Sequence, residues 1–282
     1  MKESRWSYAP SPHCRGVVLI SHGLNQRPSS WQQLTEHVNQ LGLHVYRLAL
    51  SGHRGRGFDD MLQVNASLWE EEFRAAYQEI ARRFADKPHY LLGFSLGCLL
   101  ALTVQLKDQR RYFSRQLLLA PAIAVQPYTR LVLLLCNFVD RLPSRSPKQY
   151  VANHQGTSAA AYRALFDLLH DFKRFSDLGL IDVPTLVAMR SDDELVSYRA
   201  IQRCIRRFGL DNWQTVRLNQ PGSWLDRWRT FTHLIVDSHC AGEEVWNRLV
   251  LAVEAFLSAD ERELLNSSSA APLAERGGRT SA

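Results

Sequence analysis

Gly93-Phe94-Ser95-Leu96-Gly97 is the stretch on which the fold turns. It follows an apolar run, His89-Tyr90-Leu91-Leu92, and opens another, Cys98-Leu99-Leu100-Ala101-Leu102. That context reads as strand, sharp turn, helix. A serine at such a turn has its hydroxyl lifted above the sheet edge beside a helix N-terminus, which suits a nucleophile. Gly93 and Gly97 have a steric reason, because a side chain at either place would strike a neighbouring strand or helix.

Outward from this turn, short apolar runs alternate with longer helical patterns. Strands are predicted at Gly16–Ser21, Leu43–Leu50, Pro88–Phe94, Gln116–Ala120, Thr185–Arg190 and Trp213–Asn219. A helix capped by Ser29 or Ser30 runs to about Leu41, and Asn65 caps another over Ala66–Phe84. Ser95–Lys107, Tyr198–Phe208 and Glu243–Leu257 are further helices. The expected class is α/β, with a mostly parallel central sheet of about six to eight strands and helices on both faces. After Pro121 the rhythm breaks until Thr185, and residues 122–180 read as a helical cap over the carboxyl ends of the strands. Residues 1–13 form a lead-in, 14–258 the domain, and 259–282 a tail whose composition predicts disorder.

The chain has 282 residues, 45% apolar and 22% charged, as in a globular protein with a large core. No apolar window reaches the length of about eighteen residues that a membrane helix needs. The N-terminus has no hydrophobic segment of the kind a signal peptide carries. Five widely spaced cysteines without a C-x-x-C pair read as reduced thiols, and the expected location is cytoplasmic. The net charge of +6 reads as a solvated basic surface, with weak contact to an anionic membrane surface as the alternative. Without an aromatic-basic stripe, no nucleic-acid partner is expected.

Three further elements fall where acyl-transfer chemistry needs them. His22-Gly23-Leu24 follows the first strong strand, and the backbone N–H of Leu24, with that of Leu96, could hold an oxyanion. The His22 side chain is read as a structural support for that loop. Ser191-Asp192-Asp193-Glu194-Leu195-Val196 supplies a carboxylate to fix a histidine tautomer. The spacing D-x-x-V favours Asp193 at the bend, leaving Asp192 to cap the Tyr198–Phe208 helix. Phe231-Thr232-His233-Leu234 precedes the last helix, and His233 can face Ser95 and Asp193 together. His239 lies nearer the helix, and His53 is a candidate substrate contact. No metal is expected, since the cysteine–histidine spacing suggests no zinc site.

The order Ser95, Asp193, His233 resembles that of the α/β-hydrolase superfamily. His22-Gly23, Ser51-Gly52-His53-Arg54-Gly55, Gly93–Gly97, Asp193–Val196 and His233 carry the likeness, over about residues 14 to 258. Within it the chain is similar to carboxylesterases and monoacylglycerol-lipase-like serine hydrolases. The resemblance implies a serine hydrolase, a cap inserted after the family's sixth strand, and no organic cofactor. It departs from the family in its short N-terminal lead-in, which leaves little room for the opening strands. Pro221–Trp228 reads either as a specificity loop or as a surface loop held by its two tryptophans. The apolar stretch Leu131–Val139, bracketed by Arg130 and Arg141, reads either as an acyl pocket or membrane-facing lid, or as a helix buried against the body. The implied reaction is hydrolysis of a small-molecule ester, of medium-chain or monoacyl lipid type. Thioester, amide or carbon–carbon cleavage on the same triad, and a non-catalytic binding scaffold, are the alternatives.

Overall fold

The computed structural model describes residues 4–10, 13–144, 146–219 and 231–259. In chain order the elements begin with β1 (Arg5–Ser7), β2 (Gly16–Ser21), α1 (Gln32–Gln40), β3 (Leu43–Arg47), α2 (Phe58–Leu62) and α3 (Ala66–Arg83). The turn at Ser95 joins β4 (His89–Phe94) to α4 (Leu96–Lys107). Then come β5 (Arg115–Leu119), α5 (Leu131–Leu135), β6 (Arg141–Leu142), β7 (Thr157–Ser158) and α6 (Ala159–Arg174). The chain continues through β8 (Thr185–Met189), α7 (Tyr198–Phe208), β9 (Trp213–Arg217), α8 (Ser238–Ala241) and α9 (Glu243–Ser258).

Seven described strands form one sheet in the order β1-β3-β2-β4-β5-β8-β9. Only β1 is antiparallel to its neighbour. Every residue of β2, β5 and β8 is buried, which is why these strands read as continuous apolar runs rather than alternating ones. The chain steps from β2 outward to β3, returns past β2 to β4, and continues to β5, β8 and β9. Right-handed crossovers then put α1 on one face and the later crossover helices on the other. The packing agrees, since α1 touches α9 while α3, α4 and α6 touch one another. The reversal opens a crevice outside the carboxyl ends of β2 and β4, where sheets of this kind bind ligands.

Local chemistry explains most boundaries. Asn65 caps α3 by accepting from the Leu68 N–H at 2.9 Å, and Arg82 and Arg83 sit at its negative end. The expected serine cap of α1 is absent. Pro28 starts a 3-10 turn over Pro28–Trp31, and the Ser30 hydroxyl is spent on the Arg27 carbonyl at 2.7 Å. β3 stops at Arg47, short of the predicted Leu50, because Leu50 turns its N–H to the His22 ring at 3.1 Å. Among the described residues the strand before β2 is β1, held where Trp6 packs on Tyr46 and Phe84 at centroid separations of 4.9 and 5.3 Å.

The segment between β5 and β8 divides in two. Its second half, α6, is capped by Ser158 and packs on α2, α3 and α4 as a helix of the body. Periodicity shows that a helix has an apolar face but not which partner covers it. The first half stands out from the body. Leu131 is 60% exposed, Leu134 61% and Phe138 86%, and within Leu131–Val139 only Cys136 is buried. The reading of this stretch as a helix buried against the body is therefore not what the fold shows. The Pro221–Trp228 loop and the tail beyond residue 259 lie outside the described residues.

α4 approaches the end of β2 so closely that a Cβ on Gly97 would lie 2.0 Å from the Ser21 carbonyl oxygen. That neighbour is backbone and cannot yield cheaply. Gly97→Ala should therefore destabilise the protein by about 1–3 kcal/mol or more, read as a lowered urea midpoint.

Candidate active site

Ser95 occupies φ 49° and ψ −112°, a conformation that a non-glycine residue keeps only when its surroundings hold it. Here they do. Its N–H donates to the Leu119 carbonyl at 2.9 Å, and its own carbonyl accepts from Ala122 N–H at 3.2 Å. Gly93 lets the turn close, since a Cβ there would touch the backbone of Cys98 at 3.0 Å.

The loop after β2 lies against this turn. A Cβ on Gly23 would meet the Phe94 ring at 2.6 Å, so only glycine lets the loop come this near. Gly23 N–H donates to the Gln26 side-chain oxygen at 2.8 Å, and Gln26 N–H returns to the Gly23 carbonyl at 3.2 Å. Neither Leu24 N–H nor Leu96 N–H has a hydrogen-bond acceptor among the described residues. Two N–H groups on segments packed at the Ser95 turn are thus left without a protein acceptor.

Two buried histidines support the loop from beneath. The His22 Nδ1–H donates to the Gly23 carbonyl at 2.9 Å, and its Nε2 accepts from Leu50 N–H at 3.1 Å. His53 does the same one layer on, donating from Nδ1 to the Ser51 carbonyl at 3.1 Å and accepting Asn25 N–H on Nε2 at 2.8 Å. His53, read from the sequence as a candidate substrate contact, is buried, and both its ring nitrogens are spent on the backbone. The rings lie 4.5 Å apart. Burial lowers the His22 pKa to about 4, and burial followed by the charge of His22 lowers that of His53.

Asn25, at φ 49°, ties this loop to the insertion. Its side-chain amide donates to the carbonyls of Asn153 and Gly156 at 3.3 and 3.2 Å and accepts from Asn153 N–H at 2.9 Å. Arg27 N–H donates to the Tyr150 carbonyl at 2.7 Å, and Asn153 reaches on to the Gly52 carbonyl at 2.7 Å. Residues 150–156 therefore form a strap hydrogen-bonded along the loop.

On the other side of the turn, His233 and Asp193 meet. His233 Nδ1–H donates to Asp193 Oδ2 at 2.8 Å, and the imidazole lies 4.9 Å from the Phe94 ring, next in sequence to Ser95. Asp193 Oδ1 accepts the N–H groups of Leu195 and Val196, both at 2.8 Å, which gives the D-x-x-V spacing its physical meaning. Asp192 instead pairs with Arg190, through Nε at 3.1 Å and Nη2 at 3.0 Å, while Ser197 caps α7. His239 lies in α8 beside Tyr150.

Two supporting residues escaped the sequence reading. Glu194 Oε2 accepts His233 N–H at 3.0 Å and the Thr232 hydroxyl at 2.5 Å, so it moors the histidine loop. Gln126 donates from its side chain to the Asp193 carbonyl at 3.2 Å. The adjacent acidic pair in Asp193-Glu194 was the available signal for the first, and nothing local marks the second. Burial, the largest influence, depresses the His233 pKa. The charge and hydrogen bond of Asp193 and the charge of Glu194 outweigh it, and the net shift is upward.

A parallel sheet reversing beneath a strained serine turn, with an aspartate-bound histidine at the same rim, defines an α/β hydrolase of the serine type. The sequence profile of the family described as serine aminopeptidase, S33, matches residues 12–166, and the chain belongs to that family. A monoglyceride lipase homologue of monkeypox virus is 23% identical over 135 residues, covering 48% of this chain and 49% of that protein. The match thus spans about half the length of that relative. Among solved structures, a soluble variant of monoglyceride lipase from Saccharomyces cerevisiae superposes with a TM-score of 0.66 at 14% identity, covering 90% of this chain and 89% of its own. Monoacylglycerol lipase from Paleococcus ferrophilus gives 0.63 at 17% identity, covering 91% and 99%. At these identities the superpositions show a shared fold.

The neutral histidine pair has a pH consequence. An unfolded chain takes up protons on His22 and His53 below about pH 6.5, whereas the folded chain resists until near pH 4 at His22. The unfolded state then binds more protons, so this contribution to stability is lost as pH falls through that window. Urea unfolding between pH 7 and 4 should show the decline, and His53→Asn, which can still accept the Asn25 N–H, should flatten it.

Proposed function

We propose that this chain is a serine esterase acting on carboxylic esters of medium-chain or monoacyl lipid type. The observation that carries the reading is the 2.8 Å bond from His233 to Asp193 beside the strained Ser95 turn.

With Nδ1–H committed to Asp193, the other imidazole nitrogen, Nε2, is the basic one. It takes the Ser95 proton as Oγ bonds to the ester carbonyl carbon. The carbonyl oxygen gains charge between the N–H groups of Leu24 and Leu96. The intermediate collapses with cleavage of the carbon–oxygen bond, and His233 returns the proton to the departing alcohol. Water, activated by the same nitrogen, then attacks the acyl-serine and releases the acid.

The exposed apolar residues Leu131, Leu134 and Phe138 support a lipid-like acyl group, since surface of this kind is costly unless something apolar meets it. Exposed Arg130 and Arg141 flank them, a charge placement suited to shallow contact with an anionic lipid surface. No helix among the described residues is long and apolar enough to cross a membrane. All five cysteines are free thiols, in keeping with a reducing compartment such as the cytoplasm.

Ser95→Ala should abolish both hydrolysis of p-nitrophenyl esters and labelling by a fluorophosphonate, with thermal unfolding unchanged; retained turnover would reject the assignment. Across p-nitrophenyl esters, kcat/KM should rise from acetate to medium chains, and a strict preference for acetate would reject the lipid reading. Because the base must be neutral, the acid limb of kcat/KM should lie above the ordinary imidazole value of about 6.5. Glu194→Gln removes a charge that raises the His233 pKa, so its acid limb should move to lower pH.

A further inference from the structure

A cavity of about 500 Å³ opens at the same rim of the sheet but two strands away from β4, and Ser95, Asp193 and His233 are not among its described lining residues. Four arginines do: Arg5, Arg27, Arg47 and Arg54. Only Arg54 has a carboxylate ion pair among the described residues, with Glu72, and its Nε is held by the Ala49 carbonyl at 2.9 Å. Arg47 is buried, yet its one described side-chain bond goes to the neutral Gln32 amide oxygen at 3.0 Å. Arg27 Nη2 lies 3.2 Å from His154 Nε2, with no carboxylate beside it among the described ion pairs.

The fold brings these charges together against their repulsion. Arg5 and Arg47 are direct cross-strand partners in the β1–β3 ladder, a pairing that like charges make unfavourable. The register cannot slip to relieve it, because the next pair is Trp6 opposite Tyr46, whose rings pack at 4.9 Å. A one-residue shift would turn that aromatic face over. Burial first and the Arg5 charge second lower the Arg47 pKa, and the charge of Glu36 offsets them only in part, so the two guanidiniums feel one another. A buried guanidinium without an ion pair of its own, facing further guanidiniums across a cavity, is what a bound anion relieves.

We propose that this cavity is a binding site for a phosphoryl-bearing small molecule with two or more negative charges, gripped by Arg5, Arg27 and Arg47. Guanidinium forks match phosphate oxygens in paired hydrogen bonds, and several converging forks select multiply charged groups over single carboxylates. The volume exceeds what a lone phosphate fills, and Pro28 and Ala152 offer apolar wall to the organic part. The site adjoins the loop that carries Leu24, since His53 of its lining accepts Asn25 N–H and Arg27 belongs to the strap contact. The assignment stands apart from the ester chemistry and survives if that chemistry is otherwise.

The test is calorimetric titration of the whole purified protein with inorganic pyrophosphate and with ATP, and sedimentation with vesicles of phosphatidic acid in phosphatidylcholine. Saturable, salt-sensitive binding of pyrophosphate or ATP supports a soluble ligand. Binding confined to the phosphatidic acid vesicles supports the same group on a lipid. Arg5→Gln should weaken binding by about tenfold or more, the loss expected for one charge-assisted hydrogen-bond donor. Arg5 is exposed, and the same change removes a repulsion, so the melting temperature in buffer alone should equal or exceed that of the parent. Arg47→Gln repeats the test from the partner strand. Absence of binding with all three probes, or undiminished binding by both variants, overturns the proposal.

Discussion

Among the described glycines none leaves less room for a side chain than Gly97, where α4 meets the Ser21 carbonyl at the end of β2. The site is organised around it. The sheet reverses its direction of growth at β2 and β4, so loops leaving these strands face one another across a crevice. The missing side chain at Gly97 lets the helix N-terminus settle there, and the missing side chain at Gly23 lets the opposite loop rest on Phe94. The free N–H groups of Leu24 and Leu96 follow from those two contacts. So does the strain at Ser95, which the Leu119 carbonyl and Ala122 N–H hold in place.

Electrostatics separates His22 and His53 from His233 by their surroundings. His22 and His53 have backbone N–H groups aimed at one ring nitrogen, and a second proton would set donor against donor. They remain neutral props. His233 faces carboxylates instead, and the charge of Asp193 and Glu194 outweighs the cost of burial. His239 lies in α8 beside Tyr150. Residue type alone does not make a base; the groups facing the ring do.

The sequence was most informative where local chemistry dictates structure. The fully buried strands appear as unbroken apolar runs, and the Asn65 cap and the glycines of the serine turn each have a short-range steric or hydrogen-bonding cause. The spacing between Asp193 and Val196 was legible because the carboxylate binds the N–H three residues on. What escaped depends on contacts between distant segments. The His53 ring points inward because Asn25 N–H waits for it, 28 residues earlier. Glu194 moors a loop 39 residues away. α6 shows the same amphipathic pattern whether its apolar face covers a cap or the body, and only its contact with α3 and α4 decides. The Ser30 cap failed because Pro28 had already started a tighter turn.

The strap from Tyr150 to Gly156 has an engineering corollary. The insertion between β5 and β8 is stitched to the rim that carries Ser95 by the two-way amide exchange between Asn25 and Asn153. Insertion and loop are therefore one mechanical unit. A chimera that borrows another protein's insertion but keeps this loop would leave Asn25 without the carbonyls it now binds, so the exchangeable module must include residues 22–27 along with the insertion.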